Sequence, residues 1–336
     1  MKKLAAFSLG FVLIVIILGA YTRLTDAGLG CPDWPGCYGF LKVPHSEYRM
    51  AKAEIRFPEA PLDHFKAWNE MIHRYAAGIL GLLVLAMAAI AIRRRRSGVV
   101  NKPYKLAVGL LALIIFQAAL GMWTVTMALQ PVIVMLHLMG GFTTFTLLAL
   151  LYLREADIPI PVEDSLLPLQ KLAAVALVVV IIQIALGGWV AANYAALACT
   201  ALPICEGNWW TRMDILGAFS VPEADNYEFG VHNYEERMTM HVFHRIGAFA
   251  VLGVMAWLLW GLWQRATSAW FKRLAVLLTV LLVVQIALGV TNVVASLPLL
   301  VAVAHNAVGA LLMVTLVVLN YSLYKVTHTQ KEVSHG

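Results

Sequence analysis

Apolar residues in this chain gather into eight long runs, at roughly 4–22, 66–92, 104–126, 132–153, 168–192, 238–264, 274–292 and 298–323. Each is about as long as the ~20 residues a helix needs to cross a bilayer. A closed β-barrel would show ~10-residue alternating segments instead. Backbone polar groups in lipid have to be satisfied within their own segment, so the runs predict eight transmembrane helices of an all-α membrane protein. Composition agrees. Of the 336 residues 61% are hydrophobic and 13% charged, where a soluble domain is near half apolar and a quarter charged.

The polar residues between the runs set the orientation. Lys2 and Lys3 precede the first run. Arg93 to Arg96, Lys102 and Lys105 lie between the second and third, and Arg265, Lys272 and Arg273 between the sixth and seventh. The opposite short turns, 127–131 and 293–297, carry no charge. The positive-inside rule then puts both termini on the cytoplasmic side. The net charge of +6 reads as a topology signal, not as a nucleic-acid surface, and the Arg93 to Arg96 run as a solvated stop-transfer signal. The first run has a basic start but is too long for a cleaved leader. Thr22-Arg23-Leu24 is no small-residue cleavage site, so the run is read as a retained helix. With no Arg- and Ser-rich transit segment ahead of it, the chain is expected in a bacterial cytoplasmic membrane.

The two long segments, 23–65 and 193–237, then face outward, and they hold all four cysteines. That side permits disulfides. Four cysteines allow three pairings. Because each pair lies in its own loop, Cys31–Cys37 and Cys199–Cys205 are expected.

A shift of 168 residues lays the second half on the first. Leu18-Gly19 falls on Leu186-Gly187, Cys31 on Cys199, Pro35 on Pro203, Cys37 on Cys205, Gln117 on Gln285, Gly121 on Gly289 and His137 on His305. Apolar matches alone would mean nothing in a membrane protein; one shift that carries cysteines, a proline, a glutamine and a histidine does. An even number of helices per half keeps both copies in one orientation, a parallel repeat. The expected organisation is an N-terminal four-helix half, 1–153, a cytoplasmic linker bearing prolines and charges, 154–167, and a C-terminal four-helix half, 168–336. Each half is read as a bundle that can build a cofactor site between facing helices.

Of ten histidines, five fall inside the runs: His73, His137, His241, His244 and His305. Ionisable residues at membrane depth are costly and functional by default. His73, His137, His244 and His305 each lie about six or seven residues in from the outer end of a helix, roughly 10 Å deep. Two imidazoles at one depth in each half suit a planar macrocycle with two axial sites, and haem iron takes such ligands. The alternative for each is an interhelical hydrogen bond. Zinc or copper would lack a compact third and fourth ligand.

Glu70 and His73 share a helix face at i, i+3, and His241 and His244 repeat the layout with His for Glu. At the constant shift His73 falls on His241, whereas the His-Arg dipeptide aligns it with His244 after a three-residue slip; both alignments stay open. Arg23, Arg74 and Arg245 are candidate partners of haem propionates through charge-assisted hydrogen bonds, or else snorkelling interface arginines. Gly121, Gly140, Gly141, Gly289 and Gly309 read as small residues of helix packing, and Gln117 and Gln285 as interhelical hydrogen-bonders. The other five histidines lie in loops or the tail and read as solvated.

Taken together, one set of residues resembles the haem A synthase family over nearly the whole chain. It comprises Gly19-Ala20-Tyr21-Thr22-Arg23-Leu24-Thr25 running into Gly28-Leu29-Gly30-Cys31-Pro32-Asp33-Trp34-Pro35, then Glu70-x-x-His73-Arg74, His137, His244-Arg245 and His305. The resemblance implies two parallel-related four-helix bundles. It implies oxidation of the C8 methyl of haem O to a formyl group, in two steps with oxygen from water, giving haem A for terminal oxidases. It implies His73 and His137 as ligands of the substrate haem, His244 and His305 as ligands of the iron of a resident haem b, Glu70 as the catalytic carboxylate, and Cys31 and Cys37 as the family's first-loop pair. Haem O synthase and an electron acceptor are implied partners besides the lipid bilayer; nucleic acid is not. Segments 41–63 and 207–236 are long for the family. A reading of another class stays open beside it: a dihaem b-type electron carrier, or a haem-handling assembly protein, with no chemistry on the porphyrin. A carrier usually shares two helices between both haems, and here four separate helices carry the ligands.

Overall fold

Each apolar run folds as a helix because lipid offers its backbone no other hydrogen-bond partner. The computed structural model describes residues 1–100 and 102–335. Its long helices are α1 (Lys2–Leu24), α3 (His64–Arg96), α4 (Tyr104–Thr126), α5 (Pro131–Glu155), α6 (Gln170–Ala192), α8 (Tyr234–Arg265), α9 (Ala269–Val294) and α10 (Leu299–His335); two short ones, α2 (Glu47–Arg56) and α7 (Ile215–Ala218), lie in the long loops. Eight helices are long and apolar enough to cross a membrane, and they coincide with the eight runs: the chain is a multi-pass membrane protein.

Polar caps decide where these helices start. The Asp63 carboxylate accepts from the backbone N–H groups of Phe65 and Lys66 at 2.9 and 3.1 Å, filling orphan donors at the start of α3. Asn233 and Glu236 form a capping box at α8, and Pro131 opens α5, where its missing N–H costs nothing. At the other end α3 runs on through the arginines, so Arg93 to Arg96 form its last turn, where cations oppose the helix dipole. One of them is not simply solvated: Arg94 pairs with the buried Glu155 of α5 at 3.0 Å.

Among the first four spans α1 packs on α3 and α5, and α4 lies between α3 and α5; among the last four α6 packs on α8 and α10, and α9 on α10 and α8. The two sets meet through α5 with α6, and through α10 with α1 and α5. The dry core, including Met87, Leu110, Leu148, Met255, Phe271 and Leu316, fills the part of the spans near the arginine turn. The part near the long loops is hollow, which leaves the deep histidines facing open space.

The segment joining the two sets is anchored. Glu163 accepts from the backbone N–H groups of Thr267 and Ser268, each at 2.8 Å, at the start of α9. Burial pushes its carboxyl upward, but the hydrogen bonds from Ser268 and Thr267 outweigh this and hold it below the usual carboxylate value.

The long loops are structured as well. Cys31, Cys37, Tyr38, Val43 and Ala53 of the first form a small core on Ala67 and Met71 of α3. The second crosses to the first four spans: Tyr227 N–H donates to the carbonyl of Ala128 at 3.0 Å, and Glu228 pairs with Lys66 at 3.7 Å. His232, expected as a solvated loop residue, is instead buried and bonded to Glu236 at 2.8 Å, because this loop folds back on the start of α8. The side chains of His328 and His335 lie outside the described residues.

Candidate functional site

The four deep histidines sit in one recurring frame. His73 on α3 lies against Gly19 of α1, His137 on α5 against Gly121 of α4, His244 on α8 against Gly187 of α6, and His305 on α10 against Gly289 of α9. A Cβ added at these glycines would stand 2.8, 3.3, 2.9 and 3.2 Å from the Cε1 of the ring. Any larger residue would push the imidazole away, so the close approach requires glycine. One turn before each glycine a backbone carbonyl, of Val15, Gln117, Gln183 or Gln285, neighbours the same ring. An imidazole that gives its Nδ1 proton to a carbonyl keeps Nε2 for a metal. Nδ1 of His73, His137 and His305 is buried and makes no closed hydrogen bond, an unpaired atom that ligation with the carbonyl as acceptor would satisfy.

The rings of His73 and His137 stand 6.4 Å apart between centres, with planes at 90°. Imidazoles on opposite sides of one metal ion come about 6 Å apart, from bonds of ~2.0–2.1 Å and roughly 1 Å from nitrogen to ring centre. The donor set thus fits a macrocycle with two axial histidines. The surrounding cavity measures about 1760 Å³ and is lined by all four histidines together with Glu70, Arg23 and Gln117. Small-molecule sites occupy ~300–1,000 Å³, so this space exceeds what one ordinary ligand needs.

One turn nearer the loops the two pairs differ in chemistry but not in architecture. Glu70 is 4% exposed. Its Oε2 accepts from the N–H of Cys31 at 2.8 Å and its Oε1 from Arg74 at 2.5 Å. His241 stands in the same relation to the second loop: Nδ1 faces the N–H of Cys199 at 3.3 Å and Nε2 faces Nε of Arg245 at 3.2 Å. A neutral imidazole has one free lone pair, so it accepts one of these at a time. In space, then, α3 and α8 correspond at an offset of 171 residues: Glu70 with His241, His73 with His244, Arg74 with Arg245.

The arginines bind the loops. Arg74 donates to the carbonyls of Asp33 and Gly36 at 2.9 and 2.5 Å. Arg245 donates to those of Cys199, Ala201 and Ile204 at 2.6, 2.5 and 2.5 Å. Arg23 joins the two sets of spans: it donates to the carbonyl of Ala191 at 2.6 Å and lies 3.9 Å over the ring of Tyr194. Its Nε is buried without a partner.

Both expected disulfides are formed, Cys31–Cys37 and Cys199–Cys205. Cys31 and Cys37 are fully buried, beside Tyr38, whose hydroxyl burial and then the charges of Glu70, Asp63 and Asp33 push up to about 12. A redox bridge has to be met by an attacking thiolate, and neither sulfur of this one is accessible. Replacing Cys31 and Cys37 together by Ser is expected to lower unfolding stability by ~2 kcal/mol, the low end for a short loop, with activity retained in the folded fraction. Thermal unfolding and turnover of one preparation check this; unchanged stability with lost turnover would sink the staple role.

Four contacts escape the linear sequence. Gly19 and Gly187 match at the 168-residue shift, yet nothing along the chain shows that an imidazole lies against each. Gln183, whose counterpart at the 168-residue shift is Val15, places its side-chain nitrogen 3.0 Å from Nδ1 of His244. Gln285 similarly lies 3.3 Å from Nε2 of His305, while Nε2 of Gln117 has no partner.

Comparison with known proteins bears on this arrangement. The family model COX15-CtaA, cytochrome oxidase assembly protein, matches residues 2–317. A protein of Shewanella oneidensis named heme A synthase is 50% identical over 324 residues, covering 96% of this chain and 96% of its own. Proteins of the same name from Rickettsia prowazekii, 28% identical over 332 residues with 94% and 95% covered, and from a Chelativorans species, 29% identical over 320 residues with 89% and 84% covered, are similar along most of their length.

Proposed function

This chain belongs to the COX15-CtaA family of cytochrome oxidase assembly proteins, and from that premise we propose how it works as a haem A synthase. His73 and His137 hold the substrate, haem O, within an N-terminal half of residues 1–153. His244 and His305 hold a resident haem b within a C-terminal half of residues 168–336, and residues 154–167 link the two. The observation that carries the reading is the histidine frame, repeated four times around one cavity, with a carboxylate beside a single pair.

The haem b supplies one-electron redox chemistry when bound. The chain's own residues do the rest. His73 and His137 fix the plane of the substrate ring, and the glycines behind them fix how far each imidazole reaches. Glu70 takes a proton, or faces developing positive charge, at the C8 methyl as it becomes a formyl group with oxygen from water. The loops tied down by Arg74 and Arg245 cover the rim and limit solvent entry. Arg23, which lines the cavity, pairs with a propionate; the donors of Arg74 and Arg245 act on the loops.

The membrane is bacterial and cytoplasmic in this reading, with both termini and the arginine turn inside and the disulfide loops outside. Haem O synthase and an electron acceptor are the partners. The test is chromatography of haems from cells that make haem O, with and without this chain. Haem A is expected only with it. If none forms, a dihaem electron carrier explains the site better.

A further inference from the structure

Residues 41–56 of the first loop take no part in the chemistry above, yet they present apolar side chains outward. Leu41, Tyr48 and Ile55 are 82%, 74% and 83% exposed. α2 turns Ala53 into the loop's own core. Tyr48, Lys52 and Ile55, at i, i+4 and i+7, share another face of it. Lys42, Arg49 and Lys52 are exposed cations, and none of the three is in an ion pair among the described residues. By helical spacing Glu47 and Glu54 lie on the flank of α2 away from Arg49. α3 fixes the height of this segment. The Tyr75 hydroxyl donates to the carbonyl of Leu41 at 2.7 Å. Tyr75 opens the uncharged stretch of α3, 75–92, which is ~27 Å long at the rise of a helix and close to the ~30 Å of a hydrocarbon core. It continues the outward apolar stripe of Phe65, Trp68 and Ile72. Tyrosine and tryptophan at such a boundary sit at headgroup level, so Leu41 is held where acyl chains meet headgroups.

We infer that residues 41–56 are seated on the bilayer surface on the side of the disulfide loops, with Leu41, Tyr48 and Ile55 dipping among the acyl chains and Lys42, Arg49 and Lys52 holding anionic lipid headgroups. Two features choose lipid as the occupant. The exposed patch is continuous with the outward stripe of α3 through the bond from Tyr75 to Leu41. Its charge is complementary to an anionic headgroup, and an interfacial segment gains from buried apolar area and from such attraction together. Lysine and arginine lay their apolar stems along the surface and keep the charge among headgroups. The runs of cations at the other end of the spans orient the chain; these three lie on the opposite side, where topology gives them no role. The seat bears on the site as well. The same loop packs on Ala67 and Met71 and carries Cys31, whose N–H meets Glu70, so lipid supports from outside the loop that Glu70 ties from within. None of this depends on which haem lies where.

All four cysteines are bridged, so Ile55→Cys and Tyr48→Cys each offer a single thiol to a fluorescent label. Both side chains are exposed, and either variant serves if the other fails to fold. The full chain is reconstituted in nanodiscs of phosphatidylcholine, with and without phosphatidylglycerol. Val283→Cys, 59% exposed on α9, is the control within the lipid. Labels at 48 and 55 are expected to be quenched by lipids brominated on their acyl chains, as the label at 283 is. Quenching by acrylamide in the water is expected to fall several-fold when phosphatidylglycerol is added. The triple variant Lys42→Gln, Arg49→Gln, Lys52→Gln, its folding checked by thermal unfolding, should lose that response. Free quenching by acrylamide with none by bromolipid puts the segment in water, as a docking surface for a soluble protein would be, and overturns the seat. Shielding from both quenchers puts a second copy over it and overturns it too. No response to phosphatidylglycerol, or an equal response in the triple variant, overturns the role of the cations.

Discussion

Glutamine in place of Glu70 should leave the resident haem b in place and cut haem A formation by ~10²–10⁴, the range for a lost general acid or base. The variant is chosen from the contacts. Glutamine keeps the size and an oxygen to accept from the Cys31 N–H, which the carboxylate meets at 2.8 Å, so the loop stays tied. What it loses is the charge. Glutamine and alanine both leave Arg74, only 12% exposed, without its ion partner; alanine also removes the acceptor of the Cys31 N–H, so misfolding would be confused with lost chemistry. Glu70→His offers a second route, since His241 faces the Cys199 N–H and Arg245 from the corresponding place with no carboxylate. A residue that merely ties the loop would tolerate histidine. Chromatography of extracted haems reads both variants, and a haem stalled between methyl and formyl should accumulate if the carboxylate acts after the first oxidation. Undiminished haem A in either variant would reduce Glu70 to a loop tie.

His244→Leu and His305→Leu should each abolish the low-spin haem b spectrum of the purified protein, while His241→Leu keeps most of it. The reason is placement. His244 and His305 face the cavity with a glycine behind each ring, where they would hold the proposed haem b. Both nitrogens of His241 face donors of the loop and of Arg245, so its imidazole would not be free to hold a haem. Leucine at 244 or 305 would remove one of the two imidazoles that would hold the haem b, and the low-spin signature would go with it. Loss of haem b in His241→Leu with retention in His244→Leu would reverse the assignment.

Much of this protein is legible along the chain because the bilayer imposes local rules. A helix must satisfy its own backbone, so each span shows itself as an apolar run. Cysteines six residues apart in one loop have few other partners, and both expected bridges form. Depth follows from counting residues along a helix of known rise, which is why the histidines of one layer could be picked out. Contacts across helices follow no such rule. A constant shift of 168 set His73 against His241. The three-residue slip arises between the cysteines and the next helix, where Cys31 to Glu70 spans 39 residues and Cys199 to His241 spans 42, and loop length does not reveal which residue faces the cavity. Residue type and depth made Arg74 and Arg245 candidate propionate partners, but the carbonyls that engage them come from loops brought overhead only by the fold. Gly121 and Gly289 read as helix-packing residues, and what meets them is an imidazole. Which side chain stands opposite a glycine depends on the rotation and separation of two helices. Those are set by packing at the far end of the spans, around Met87, Leu110, Met255 and Phe271, and that information is distributed over all eight helices at once.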